Sequence, residues 1–563
     1  MERLVSALSV FLFVLFLARA TRGQAAVPVL EGLFPVALER GQTHQVTAVG
    51  KFDPWPPKVW TETPGVQIEP STNVGMLKVI ITSNTPSGPY FIRLFNDEGA
   101  SNPRFLMVTP DPQGGEEEPN NHFLKPQKIS KLPAAINGRL EKQGDVDSFA
   151  VTLVSGQTLV ASLEAYTLMS PVDAVLQIVD DRGKQMAFNH DNGRTFDPFL
   201  SWTCQVAGTY VVQVFGFAYP ADSDIRFTGN PRCIYRLHLT SGPAISYTLP
   251  LGIRRGSSTS LRLVGWNLGA LNDQPVIFDG STLGPRVDRV LFQPSGFALP
   301  LEVEIGEGPE VLETEPNGPK DPANPIEIPG AISGSIGFSG DEDRFAFSAR
   351  KGDRWALDLK AASLGFLVDA WLEIHDAAGK MLVRNEGGNG SDPRLDWTVP
   401  SDGTYLASVG NLLHRGGDSL RYRLQIIHPV PSVKVTVSEN SFTLAPGATN
   451  DIKVSLKRLF GSEAVLTLSI TNLPTGVSAQ PVTLSAKDLE GVLKLIATPE
   501  AKPFTGTFRI QAEAKEGGRV QLAMMELISS GENNGVPQGF KRLLIESVDA
   551  FWLTLTAPPK AKK

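Results

Sequence analysis

The sequence predicts an all-β chain built as a string of five β-sandwich domains, and three observations carry that expectation. Short alternating runs recur throughout, such as LVASLEAY (159–166), AVLQIVD (174–180), TYVVQVFGF (209–217) and IYRLHLT (234–240). Successive side chains of a strand point to opposite faces, so this alternation marks strands with one buried face. The runs are separated by turn residues, supplied by 53 glycines and 43 prolines. After the first 25 residues no stretch keeps a helical period. The third observation is that the chain matches itself.

GDVDSFAV (144–151) matches GDEDRFAF (340–347), and PVDAVLQIVDDRGK (171–184) matches LVDAWLEIHDAAGK (367–380), both 196 residues apart. LSWTCQVAGTYVVQV (200–214) matches LDWTVPSDGTYLASV (395–409) at 195, and PVALERGQTHQVTAVG (35–50) matches PLGIRRGSSTSLRLVG (250–265) at 215. The repeating unit is a small β domain followed by a larger one, present twice. The expected elements are a signal peptide (1–25), an immunoglobulin-like domain (27–110), a larger sandwich (116–242), a second immunoglobulin-like domain (243–310), a second larger sandwich (313–428) and a C-terminal immunoglobulin-like domain (431–558). The joints SGPA, PDPQGG and HPVPS are short, which predicts a semi-rigid string.

The first element has the pattern of an export signal: Arg3, the apolar run LVSALSVFLFVLFLA (4–18), then small residues that place cleavage near Ala20 or Ala25. Fifteen apolar residues fall short of the roughly 20 that span a bilayer. The mature chain is expected to be exported, to the periplasm, cell surface or medium, without a membrane span. Net charge is −7 with no long basic run, which argues against nucleic acid as a partner. Two cysteines, Cys204 and Cys233, rule out a disulfide-rich scaffold. Their repeat counterparts Val399 and Leu420 are apolar, so both face the core, and either one disulfide or two buried thiols satisfies that position.

The ordered motifs E-x-E-P-N (Glu116–Asn120), G-D-x-D-x-F (Gly144–Phe149), V-D-A-x-L (Val172–Leu176), D-x-x-G-K (Asp180–Lys184) and G-T-Y (Gly208–Tyr210) resemble the bacterial pre-peptidase C-terminal domain. The second copy carries Glu313–Asn317, Gly340–Phe345, Val368–Leu372, Asp376–Lys380 and Gly403–Tyr405. The resemblance implies a jelly-roll-like sandwich that accompanies secreted hydrolases as a polymer-binding or processing appendage. The small domains resemble TIG modules through their R-G-x₈-G framework (Arg40–Gly50 and Arg255–Gly265).

The acidic clusters are the candidate sites. In an extended segment residues i, i+2 and i+4 share a side, so Glu116, Glu118 and Asn120 present two carboxylates and an amide together. Asp145 and Asp147 follow in the next turn; the second copy offers Glu313, Glu315, Asn317, Asp341 and Asp343. Calcium takes six to eight oxygen ligands in irregular geometry, which suits such a set. Some relatives of the resembled domain bind calcium through this linker and aspartate turn. The other reading is that these side chains cap backbone amides at the entry to the first strand. Two details favour capping: Asn121 is replaced by Gly318 in the second copy, and strict alternation would put Phe149 on the face of Asp147, so the aspartates are expected in the turn.

No catalytic motif accompanies these clusters. The Gly-Asp-Ser-Leu string at Ser419 falls in a late loop, and the seven histidines do not cluster at metal spacing. Asp173 and Asp369 occupy equivalent strand positions and suggest hydrogen-bonding roles, while Trp202 and Trp397 suggest core. Trp266 and Trp371 are candidates for stacking on a sugar or peptide, with packing as the plainer role. The function expected is non-catalytic: binding of an extracellular or envelope polysaccharide or protein polymer. The alternatives are a structural scaffold with other envelope proteins, or an accessory to secreted peptidases.

Overall fold

The computed structural model describes residues 26–192, 195–217, 227–284, 288–387, 392–528 and 544–557. The candidate signal segment 1–25 lies outside them. Among the described residues there are only three short 3₁₀ turns besides strands, and no helix long and apolar enough to cross a membrane.

Each larger sandwich is two five-stranded sheets. In the first, one sheet runs Gly114–Gly115, Ala134–Arg139, Ile234–Thr240, Thr158–Glu164, Phe199–Thr203. The other runs Gln127–Lys128, Asp147–Leu153, Gly208–Gly216, Ala174–Val179, Gln185–Asn189. The second sandwich repeats this order strand for strand, from Glu310–Leu312 to Arg421–Ile427. Its core repeats as well: Phe149, Leu176, Val212, Tyr235 and Leu237 in the first correspond to Phe345, Leu372, Ala407, Tyr422 and Leu424. The short first strand of each sandwich pairs parallel to one sheet, and the short second strand pairs parallel to the other. The acidic segment between them therefore crosses from sheet to sheet over the sandwich edge.

Strand Ile234–Thr240 is buried along its whole length. Tyr235, Leu237 and Leu239 belong to the core, whereas Arg236 bonds Gln113 of the entering segment (3.0 Å). In the second copy the same strand position is Arg423, fully buried and paired with Glu310. The joint to each small domain is close. The Asn137 amide exchanges two hydrogen bonds with the Ala37 backbone (2.9 and 3.0 Å), and Leu251 N–H donates to Ser333 Oγ (2.9 Å). The second small domain also reaches back, its Asn267 amide donating to the carbonyls of Thr158 and Gly242 (2.9 and 3.1 Å).

The string closes on itself. The C-terminal domain follows the second sandwich, where Trp355 stacks on His428 (3.7 Å) and Arg394 lies over Phe460 (4.3 Å). Its far side meets the first domain, with Trp552 against Phe95 (4.8 Å) and Trp60 (6.2 Å). One apolar cluster joins Phe91 and Phe105 of the first domain to Phe442, Phe508 and Phe551 of the last.

A disulfide between Cys204 and Cys233 does not form. Both are buried free thiols in the core, as their apolar counterparts imply. They lie at opposite ends of strand Thr158–Glu164: Gly156 N–H donates to the Cys204 carbonyl, while Glu164 pairs with Arg236, three residues past Cys233. Seven residues of strand span roughly 20 Å, against the ~7 Å Cα separation a disulfide tolerates.

Two outcomes check this description. The denatured, unreduced chain should react with two equivalents of a thiol reagent. Glu310→Ala, which strands Arg423 as a buried unpaired charge, should destabilise the second unit by about 3–5 kcal/mol, measured by chemical denaturation of the full chain.

Candidate functional site

In each sandwich a tyrosine hydroxyl organises the acidic cluster. Tyr235 donates to Asp147 Oδ2 at 2.6 Å, and Glu116 Oε2 lies 3.2 Å from the same hydroxyl. In the second copy Tyr422 meets Asp343 at 2.6 Å and Glu313 at 3.2 Å. The tyrosine comes from one sheet and the aspartate from the other, so the contact ties both sheets to the crossing segment. The ring needs room on the neighbouring strand: a Cβ at Gly138 would sit 2.1 Å from the Tyr235 ring, and one at Gly334 would sit 2.4 Å from the Tyr422 hydroxyl. Only glycine fits at either position.

Around the tyrosine the other residues are fixed by backbone bonds. Glu116 accepts the Arg139 N–H through both oxygens (2.9 Å each), and Glu313 accepts the Ser335 N–H and hydroxyl. Glu118 and Glu315 accept the N–H of Asn120 and Asn317 (3.0 Å each). The carbonyls of those asparagines then accept the N–H of Ser148 and Arg344, docking the crossing segment on the first long strand. Asp145 accepts from Glu141 N–H (2.6 Å) and Asp341 from Gly337 N–H (2.7 Å), each closing a turn. The capping role read from the sequence is therefore present, for Glu116, Glu118, Asp145 and their counterparts.

Capping does not use up the cluster. Asn120 and Asn317 are fully buried, yet both side-chain atoms of each lack a hydrogen-bond partner, and so do Asp147 Oδ1 and Asp343 Oδ1. Buried polar atoms without partners are uncommon and costly. Finding the same atoms unpartnered in two independent copies marks a built feature. Carboxylate oxygens of Glu118, Asp145 and Asp147 lie within 4.8 Å of one another, as do those of Glu313, Glu315 and Asp343. Glu116 joins the first set through the Tyr235 hydroxyl, whereas Asp341 caps its own turn and is not among the clustered carboxylates of the second copy. A buried asparagine oxygen, clustered carboxylates and oxygen-only donors fit a calcium ion.

Burial and mutual repulsion make these carboxylates costly to ionise. One phenol carries one hydrogen, which cannot serve two ionised carboxylates. Burial, and then the Glu116 carboxylate, push Asp147 up to about 10, and burial pushes Glu116 up to about 7. Burial and then Glu313 push Asp343 up to about 9, while burial raises Glu313 to about 7. Without a cation these groups hold protons; with one they ionise.

Sequence reasoning placed Asp147 in the turn, and the structure corrects this. Asp147 opens strand Asp147–Leu153 and shares the inward face with Phe149, because the tyrosine and the crossing segment give its carboxylate a place at the sandwich edge. Asp343 likewise lies inside Glu342–Ala349. Asn121 turns its amide onto Asp145, a contact Gly318 cannot repeat. Sequence reasoning missed Tyr235, Tyr422 and their glycines as site residues. Their signal was present in the internal repeat, where each tyrosine and each glycine matches its counterpart.

The remaining candidates have plainer roles. Trp202 and Trp397 pack on Tyr210 and Tyr405 (4.7 Å each). Trp266 packs on Phe199 (5.2 Å), and Arg384 lies over Trp371 (4.9 Å). Asp173 pairs with His190 (3.2 Å), and Ser419 is exposed in a turn. Asp197 and Asp392, which the sequence did not single out, each cap the 3₁₀ turn before the next strand.

No family model matches the chain. A stretch of 100 residues is 33% identical to a probable subtilase-type serine protease of Deinococcus radiodurans, covering 17% of this chain and 14% of that protein. The chain thus spans about one seventh of the length of the relative it matches. Among solved structures it is similar to the pre-peptidase C-terminal domain of a collagenase from Bacillus anthracis. That match has 14% identity and TM-score 0.16, over 20% of this chain and 99% of the other. It is also similar to fibronectin(III)-like modules of Clostridium thermocellum CbhA, with 9% identity and TM-score 0.13, over 44% of this chain and 95% of the other.

The raised carboxyls fix the sign of a pH effect. Their folded values lie above the unfolded ones, so their contribution is fully present below about 4 and is lost as pH rises through about 7 and then about 10. In chelator the full chain should therefore melt at a lower temperature at about pH 8 than at about pH 5. Calcium at about 100 times its dissociation constant adds about 2.7 kcal/mol and should flatten or reverse that fall. Curves that coincide with and without calcium at both pH values contradict the ion site. Tyr235→Phe, which leaves the carboxylates without their donor, should cost about 1–3 kcal/mol in the same assay.

Proposed function

We propose that this is an exported, non-catalytic binding protein whose two larger sandwiches each hold one calcium ion at the crossing segment. Glu116, Glu118, Asn120, Asp145 and Asp147 form the first ion's ligand set, and Glu313, Glu315, Asn317, Asp341 and Asp343 the second. The unpartnered buried atoms of Asn120 and Asn317 are the observation that carries it. The ion's role is structural: it neutralises the carboxylates that fasten the crossing segment to both sheets. The tyrosines orient Asp147 and Asp343, and the backbone N–H groups of Arg139 and Ser335 hold Glu116 and Glu313.

The partner proposed is a polymer of the envelope or the extracellular space, polysaccharide or protein. Two copies of one sandwich, held at fixed spacing by the small domain between them, suit a repeating ligand. Tethered sites can strengthen weak binding 10²- to 10⁴-fold when both engage. Closure of the five domains favours a second reading, a rigid scaffold for other envelope proteins, since a closed chain holds its surfaces in one arrangement.

The test is retention of the full chain on insoluble polysaccharides, cell-wall material and collagen-like protein, in calcium and in chelator. Calcium-dependent retention on one of these, weakened by Asn120→Ala together with Asn317→Ala, is the expected result. No retention on any of them, with capture of a stoichiometric envelope protein instead, favours the scaffold. Hydrolysis of casein that is lost on Ser419→Ala would overturn the non-catalytic reading.

A further inference from the structure

The two small domains are copies of one another, but the second lacks the strands that close one side. Thr43–Lys51 of the first corresponds to Ser258–Trp266 of the second. Their next sheet neighbours, Met76–Ile81 and Val276–Asp279, pair with them in the same register. Leu77 lies opposite Val46 as Val276 lies opposite Leu261, and Val79 opposite His44 as Phe278 opposite Thr259. Between these paired strands the first domain carries residues 52–75, which form strands Lys58–Thr61 and Val66–Pro70. The second has only residues 267–275, which form a 3₁₀ turn and no strand.

Those two strands cover the first domain. Val66–Pro70 pairs antiparallel with Met76–Ile81 on one sheet, and Lys58–Thr61 with Gly88–Asn96 on the other. Leu77 and Val79 are fully buried as a result, and Lys78 on the outer face pairs with Glu69 (3.2 Å). The C-terminal domain covers the first domain further, where Arg93 donates to Asn440 Oδ1 (2.7 Å). In the second domain, among the described residues, nothing pairs with the outer side of Val276–Asp279 or of Arg289–Phe292. Val276, Phe278 and Val290 are left half-buried against the core. Ile277 takes the place of Lys78 and is 62% exposed, as is Leu291 on the other edge.

Unpaired N–H and C=O groups along an edge are a template for another strand, and proteins guard such edges with lysine, proline or charge. The first domain is guarded in that way, since its outermost strand ends on Glu69 and Pro70. Val276–Asp279 reads VIFD, with one charge at its end.

We propose that the open side of the second small domain is a strand-addition site for an extended aliphatic and basic segment of another polypeptide. The segment pairs antiparallel with Val276–Asp279, in the place that Val66–Pro70 holds in the first domain. Its chemistry follows from the register. Ile68 lies opposite Val79, so the residue that meets Phe278 points inward and is aliphatic. Glu69 lies opposite Lys78, so the residue that meets Ile277 is apolar. Gln67 lies opposite Ile80, whose counterpart is Asp279, so a lysine or arginine there meets an exposed carboxylate. Asp273 before this strand and Asp288 before the other edge are exposed and add to the negative charge. Backbone hydrogen bonds along the edge supply affinity, and the alternating side chains supply specificity. The site shares no residue with the acidic clusters and does not rest on the calcium reading.

The experiment offers the full chain a labelled synthetic peptide of its own residues 63–70, TPGVQIEP, carrying Gln67→Lys and Glu69→Val. Binding should protect the amides of Val276–Asp279 from hydrogen exchange and leave the strands of the first domain unchanged. Ile277→Lys in the chain restores the residue type of its counterpart at an exposed position, so circular dichroism should not change. It should weaken binding by roughly ten- to hundredfold, the worth of one buried aliphatic side chain. Asp279→Lys should weaken binding about two- to fivefold. A peptide with Gln67→Glu in place of Gln67→Lys should recover that loss, a result that misfolding would not give. No binding, protection that falls elsewhere, or binding indifferent to Ile277→Lys would each overturn the site. A chain that sediments as a dimer, and as a monomer once Ile277→Lys is made, would overturn the assignment to another polypeptide, because a second copy then fills the edge.

Discussion

One hydroxyl hydrogen between a buried aspartate and a half-buried glutamate is the constraint on which the larger sandwiches depend. Tyr235 reaches Asp147 at 2.6 Å and Glu116 at 3.2 Å, and Tyr422 repeats the arrangement with Asp343 and Glu313. A phenol can donate to one of them. The second carboxylate must either keep a proton or share a cation with its neighbours, because like charges in a low-dielectric edge repel strongly. Everything nearby serves that geometry. Glycine at 138 and 334 admits the ring, and the N–H groups of Arg139 and Ser335 hold the glutamates. The crossing segment carries Asn120 and Asn317 to the same point, with side-chain atoms to spare.

That cluster lies where the parts of each unit meet. The crossing segment begins at the small domain and ends on the second sheet, so whatever neutralises its carboxylates also fixes how the small domain is carried. In the first unit Gln113, just upstream of Glu116, takes a hydrogen bond from Arg236; in the second Glu310, just upstream of Glu313, pairs with Arg423. Tyrosine and arginine are adjacent on one strand and face opposite ways, one to the acidic cluster and one to the segment's approach. A change of charge state on one side of that strand is thus placed beside the joint on the other.

Much of this was legible before any coordinates. Alternation and turn spacing gave the all-β class, and the internal repeat paired Glu116 with Glu313 and Asp147 with Asp343. What alternation said about Asp147, that it shares a face with Phe149, was correct, and an inward carboxylate is tolerated because the tyrosine meets it. Tyr235 itself was hidden, since a tyrosine in an apolar strand looks like core until its hydroxyl partner is known. The cysteines faced the core as expected, but sheet order decides which core residues approach one another, and strand Thr158–Glu164 keeps these two apart. Closure of the chain was out of reach: Arg93 and Asn440 are separated by 347 positions and have no repeated motif to join them.

The most direct test of the central claim is the number of ions bound. Equilibrium dialysis of the full, chelator-stripped chain against calcium should find two ions per molecule, one for each tyrosine-centred cluster. Asn120→Ala with Asp147→Asn should remove one of them and leave the other in the second sandwich. Binding of no ion, or of two ions that survive loss of the ligands in both copies, would contradict the account.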